Sequence, residues 1–83
     1  MNSASNEHFI VRSPEDFGRA IAALRKARHL TQAELATHSG MSRDSLAQLE
    51  RGRQGRSIDL LLRLLRRLGA TVTVSFELPR DDA

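Results

Sequence analysis

Ser42, Arg43, Asp44 and Gln48 stand within two helical turns of one another, and their side chains match the edges of nucleic-acid bases. An arginine offers two parallel donors to guanine O6 and N7, a glutamine pairs with adenine, and an aspartate accepts from the cytosine amino group. Gln32, Ser45, Arg53 and Arg56 flank this group and suit phosphate oxygens, which position a protein without reading sequence. Asp44 has a second, plainer reading, as a stabiliser of a helix start or a brace for Arg43. Gln48 also reads as an exposed helix former. Arg43 is the strongest base-reading candidate.

The charge pattern fits such a partner. The chain of 83 residues carries a net charge of only +3, but its basic residues are arginines with the single exception of Lys26. Arg51, Arg53, Arg56, Arg63, Arg66 and Arg67 fall in one short segment against one acid, Asp59. A guanidinium presents a planar fork of donors that suits phosphate and guanine better than an ammonium does. The same run also reads as a solvated helix face, above all for Arg63, Arg66 and Arg67.

Other chemistries find little support. With 0 cysteines there is neither a disulfide framework nor thiolate chemistry. His8, His29 and His38 have no metal-ligand spacing, no glycine-rich phosphate loop is present, and so neither an enzyme, a cofactor, a metal nor a small-molecule substrate is expected. The N-terminus lacks a basic stretch followed by a long apolar run, and no apolar run spans a bilayer, so a bacterial cytoplasmic protein is expected.

Short helices must hold the polar residues in place. Ser13-Pro14-Glu15-Asp16 is a helix start, followed by an apolar stripe of Phe17, Ala20, Ile21 and Leu24, with Arg25, Lys26 and Arg28 at the negative pole. Thr31 and Glu34 form a capping box for a helix over about 32–38. Gly40 closes it in the left-handed region, and Ser42 caps the next helix, over about 43–51, which Gly52 ends. Ala36 allows the two helices to approach, and Leu35, Leu46 and Leu49 anchor them. Ser42, Arg43, Asp44, Ala47 and Gln48 are then left facing outward. Two short helices joined by a tight glycine turn form the helix-turn-helix arrangement, whose second helix enters the DNA major groove.

Ser57 reads as the cap of a fourth helix that Gly69 stops. Ile58, Leu61, Leu62, Leu65 and Leu68 make its inward stripe, while Leu60 and Leu64 point elsewhere. A helix apolar on two sides is usually covered on two sides, here by a second subunit. Thr71–Leu78 alternates as a strand and ends at Pro79. Pairing with the same strand of a second copy, through Val72, Val74, Phe76 and Leu78, is the favoured expectation; pairing with residues 8–12 of the same chain is the alternative.

Thr-Gln-x-Glu-Leu-Ala, a glycine, and a Ser-led helix ending in Leu-Glu-x-Gly over residues 31–52 resemble the XRE/Cro-type helix-turn-helix family. Ser-Pro-Glu-Asp-Phe-Gly, Leu-Leu-Arg-Leu-Leu-Arg-Arg-Leu-Gly and the terminal TVTVSFEL narrow the likeness, across about residues 9–78, to the HipB-like antitoxins. The resemblance implies a mainly α, four-to-five-helix lambda-repressor-like domain with a C-terminal strand that pairs across a homodimer. It further implies palindromic operator DNA, autoregulation of an operon and neutralisation of a HipA-like Ser/Thr kinase toxin. The corresponding division is a flexible tail over 1–8, the DNA-binding domain over 9–69, a dimerisation strand over 70–78 and a second tail over 79–83. Two positions depart from the pattern. Ser39 stands where an apolar residue is common, and only PRDDA follows Leu78. A phage-type or restriction-control repressor without a toxin, and a module chiefly for protein interaction, are the competing readings.

Overall fold

The computed structural model describes residues 5–53 and 56–78. Three of the four described helices follow the capping signals closely. In α1 (Pro14–Ala27) the Ser13 hydroxyl accepts from the Asp16 amide at 3.1 Å, and Pro14 takes a first-turn position that needs no amide donor. α2 (Gln32–Ser39) has both halves of the capping box, with Thr31 and Glu34 each accepting the other's backbone amide at 3.0 and 2.8 Å. Gly40 then takes φ 70°, and the Met41 amide reaches back to the Ala36 carbonyl at 3.0 Å. α3 (Arg43–Glu50) begins at Ser42, whose hydroxyl accepts the Ser45 amide at 3.0 Å.

α4 (Arg56–Arg67) starts two residues earlier than its sequence suggests, so Ser57 lies inside the first turn rather than capping it. Gln54 and Gly55, between Arg53 and Arg56, lie outside the described residues. The expected inward stripe of α4 is also narrower. Leu62 is buried and Ile58 and Leu65 are half-buried, but Leu61 and Leu68 join Leu60 and Leu64 in solvent. The reason is the size of the body beneath. Among the described residues the buried apolar side chains are Val11, Ala20, Ala36, Leu46, Ala47 and Leu62, half of them alanines, and so small a core covers only one narrow face of a helix.

The terminal strand has its partner in the same chain, which corrects the favoured expectation of pairing across a dimer. β1 (Ser5–Val11) and β2 (Val72–Leu78) form an antiparallel two-stranded sheet, with Glu7 opposite Phe76, Phe9 opposite Val74 and Val11 opposite Val72. Residues 5–8, read from sequence as tail, extend the ladder because main-chain pairing asks nothing of outward side chains, and an outer face accepts polar ones. Val72, Val74, Phe76 and Leu78 are the shielded positions of β2, on the same side as Phe9 and Val11, and the sheet packs on α1. The Phe9 and Phe76 rings stack at 6.0 Å. His8 and Ser75, opposite each other on the outer face, hydrogen-bond at 2.9 Å. The expected tails over residues 1–4 and 79–83 lie outside the described residues.

Candidate nucleic-acid interface

α3 is fixed from behind before it can present anything in front. Leu46 is 2% exposed, and Ala47 is buried too, so Ala47 belongs to the packed face and not to the outer one expected from sequence. Positions 43, 46, 47 and 50 share one side of a helix, and only Arg43 escapes burial, because it projects at the helix start. Ala36 is 2% exposed where α2 and α3 pack together, as the close approach requires. Ser39, the departure from the family pattern, is exposed, so no apolar contact is lost there.

Gly18 of α1 sets the third contact. A Cβ on it would stand 2.4 Å from the Glu50 carbonyl oxygen and 2.5 Å from that of Leu49. The backbone of α1 therefore meets the last turn of α3 directly. Gly52, at φ 77°, passes Glu15 in the same way, with a Cβ position 2.8 Å from the Glu15 Cα.

A buried ion pair completes the lock. Arg25 Nε donates to Glu50 Oε2 at 2.7 Å and Arg25 Nη2 to Oε1 at 3.1 Å, while Nη1 donates to the Leu30 carbonyl at 2.8 Å. The side chains are 11% and 7% exposed. Gln32 Nε2 adds a bond to Glu50 Oε1 at 3.0 Å. Burial pushes the Glu50 carboxyl up, but the hydrogen bonds from Arg25 and Gln32 outweigh it and hold the group below the usual carboxylate range. The same Glu50 partnership raises Arg25. This network was not anticipated from the sequence, which assigned Arg25 to the helix pole. Its signal lies at Glu50, four residues beyond the buried Leu46, where an acid needs a buried cation.

Each candidate side chain can now be placed. Ser42, Arg43 and Asp44 are exposed at the start of α3, and Gln48, half-buried, lies one turn on. Gln48 Nε2 donates to Asp44 Oδ2 at 3.3 Å, so these two are held as a pair with the glutamine carbonyl free. Ser42 donates to the Ser45 hydroxyl at 2.9 Å, so both serines serve the helix cap as well as any outside partner. Gln32 sits at the first residue of α2 but spends a donor on Glu50. Arg53 and Arg56 line one shallow cleft with Glu15 and Asp59, beside the loop that leaves α3. The fold thus gathers Ser42, Arg43, Asp44 and Gln48 on one short helix, with Gln32 at its rear. Leu60 and Leu64 belong to a different surface, on α4.

Comparison with known proteins agrees with this geometry. A family model described as a helix-turn-helix domain matches residues 16–75. The chain is 37% identical over 65 residues to the uncharacterized HTH-type transcriptional regulator y4dJ of Sinorhizobium fredii, covering 78% of this chain and 83% of that protein. It is 38% identical over 66 residues to the competence pilus inhibition repressor of Acinetobacter baylyi, covering 80% of this chain and 60% of the relative. Over 41 residues it is 44% identical to the HTH-type transcriptional repressor RghR of Bacillus subtilis, covering 49% of this chain and 30% of the relative. The chain therefore spans less than two thirds of the length of two of these three relatives. No solved structure matches it significantly. Among the described residues no helix is long and apolar enough to cross a membrane.

Proposed function

Because the chain belongs to the helix-turn-helix domain family, a class of DNA-binding proteins and not of enzymes, we propose that it is a sequence-specific transcriptional repressor acting as a homodimer on a pseudo-palindromic operator. One observation carries the reading. α3 is held on its inner side by Leu46, Ala47 and the Arg25–Glu50 pair, while Arg43 and Asp44 are exposed at its start and Gln48, half-buried, follows one turn on. A rigid helix with free hydrogen-bonding groups is what major-groove readout needs. Arg43 takes guanine, Gln48 takes adenine with Asp44 steadying it, and Ser42 bonds a base edge at the groove entrance. Gln32, Ser45, Arg53 and Arg56 hold phosphate.

The dimer reading is supported by α4. Leu60, Leu61, Leu64 and Leu68 are 57%, 57%, 55% and 74% exposed on a single helix. Covering them stabilises an assembly by on the order of 4–7 kcal/mol per copy, given about 1.5–3 kcal/mol for each fully buried leucine. Two copies together offset an association cost of about 4–15 kcal/mol. The dimer interface is α4 against α4, through Leu60 and Leu64 of the sequence expectation together with Leu61 and Leu68. The β2 residues Val72, Val74, Phe76 and Leu78 serve the chain's own sheet instead.

The finer reading is an antitoxin that autoregulates its operon in the cytoplasm and neutralises a HipA-like Ser/Thr kinase toxin. The Ser-Pro-Glu-Asp-Phe-Gly start, the leucine-arginine helix and the terminal strand support it. A repressor without a toxin is the second reading, favoured by the relatives in Acinetobacter and Bacillus that are described simply as repressors. Co-purification with a neighbouring kinase-like gene product separates the two; migration as separate species on a sizing column removes the antitoxin.

Fluorescence anisotropy on the upstream DNA and on a scrambled duplex, at two salt concentrations, tests the central claim. Tight binding to the native fragment alone is expected. Equal and steeply salt-sensitive binding to both would reduce the protein to generic phosphate attraction and leave an interaction module in its place.

A further inference from the structure

We propose that Asp44 is a positioning residue that sets base preference through Gln48. By holding one hydrogen of the Gln48 amide it fixes which end of that amide meets the DNA, and so selects adenine over guanine and thymine at one base of each half-site. The inference rests on the reading of α3 as the helix that enters the major groove.

A glutamine amide has a donor end and an acceptor end, and the torsion that exchanges them is roughly two-fold. In one orientation the nitrogen and the oxygen match adenine N7 and the adenine amino group. Reversed, the amide sets its nitrogen where the oxygen stood and donates to guanine O6 or thymine O4. A glutamine with no partner therefore makes a weak choice between bases.

The structure removes the choice. Gln48 Nε2 donates to Asp44 Oδ2 at 3.3 Å. A carboxylate accepts and does not donate, so the reversed amide would set oxygen against oxygen. One Nε2 hydrogen goes to Asp44; the other, with Oε1, forms the donor–acceptor pair that adenine requires. The two residues stand four apart on α3, the spacing at which helical side chains meet. No cation pairs with Asp44 among the described residues. Arg43, the adjacent residue, points about 100° away round the helix and stays available to guanine.

An acid at this position has a cost, because the duplex is anionic and a carboxylate on the reading helix repels it. The start of α3 is already served by Ser42, whose hydroxyl accepts the Ser45 amide at 3.0 Å. What a carboxylate adds is acceptance without donation. Asparagine in the same place could hold the Gln48 amide either way round.

The test is selection from randomised DNA duplexes by the unaltered protein, Asp44→Asn, Asp44→Ala and Gln48→Ala, with circular dichroism to verify each fold. Gln48→Ala should lose preference at one base of each half-site, which identifies the base it reads. At that base alone both Asp44 variants should admit guanine or thymine, their discrimination falling roughly tenfold. Their affinity for scrambled duplex should rise, since a negative charge is gone. Adding Asp44→Asn to Gln48→Ala should shift no base preference further. The inference is overturned if Gln48→Ala changes no preference, or if the unaltered protein already accepts guanine or thymine at that base. It is overturned equally if the Asp44 variants keep the full preference for adenine, or alter a base that Gln48→Ala leaves alone. An unaltered protein that draws no sequence from the library would instead sink the repressor reading itself.

Discussion

Arg25 and Glu50, distant in sequence, meet in a two-bond ion pair that joins the end of α1 to the last residue of α3. The pair is largely shielded from solvent, so its two charges depend mainly on each other and on Gln32 and the Leu30 carbonyl for their solvation.

Removing one member is therefore costly. Glu50→Gln or Arg25→Met should lower unfolding free energy by about 3–5 kcal/mol, read from urea denaturation, because a charge or a donor set is left buried and unpaired. Arg25→Met/Glu50→Leu should recover much of that loss. A double variant as unstable as the sum of the singles would show that the site cannot be repacked with apolar groups.

Acid should act through the same place. Glu50 lies below its ordinary value of 4.5, and the Arg12 backbone amide leads the causes that hold Asp16 below 3.8. Depressed carboxylates stabilise the fold above their unfolded values, and that stability is lost as pH falls through the folded ones. Melting temperature should be flat from neutral pH to about 5 and fall below that. Glu50→Gln should start lower and fall less steeply; an unchanged acid slope would remove Glu50 from the account.

Gly18→Ala tests the helix crossing. The added methyl meets two carbonyl oxygens of α3, neither on a flexible side chain, so α1 and α3 must part. A loss of about 1–3 kcal/mol is expected, with weakened operator binding because α3 moves. Neutral behaviour in both measurements would mean that the two helices slide freely.

His29 holds φ 58° after α1, a left-handed conformation that glycine adopts without steric cost. His29→Gly should raise stability by up to about 1 kcal/mol in thermal denaturation and leave DNA binding unchanged. Destabilisation would reveal a contact that the ring itself makes.

Arg43→Ala should relax base preference at one position in each half-site, at about 1–3 kcal/mol of discrimination. Arg53→Ala should weaken binding evenly across sequences and lower the salt slope. A comparison of binding-site libraries for the two variants separates these outcomes. Uniform weakening by Arg43→Ala would move that residue to the phosphate set.

Local grammar made the helices legible. Ser13-Pro14, the Thr31–Glu34 box, Gly40 and Ser42 each bind their own neighbours, so their meaning does not wait on the tertiary fold. What escaped was long-range. Ser5–His8 look polar because half of them face water, and nothing in them announces the partner strand beyond residue 70. Arg25 read singly as a pole charge, and Glu50 only as part of the Leu-Glu-x-Gly pattern. Leu61 and Leu68 carry the right period for an inner stripe, but the body has too few large side chains to cover them. Arg43 and Asp44 were legible as surface because they stand in the first turn of so short a helix, whereas Gln48 is half-buried. Ala47 was misjudged because a small apolar residue fits either side.

The sheet has a consequence for how the chain is made. Its strands stand at opposite ends of the described chain, with Ser5 opposite Leu78 and Val11 opposite Val72. Among the described elements β1 is thus made before the others and is the last to be satisfied. The contacts among α1, α2 and α3 and the Arg25–Glu50 pair lie within residues 14–50 and can begin to form during synthesis, whereas the non-local clasp waits for residue 78. Until then Phe9 and Val11 lack their β2 partners, which adds their apolar surface to what the nascent chain exposes to aggregation and to early capture by another protein.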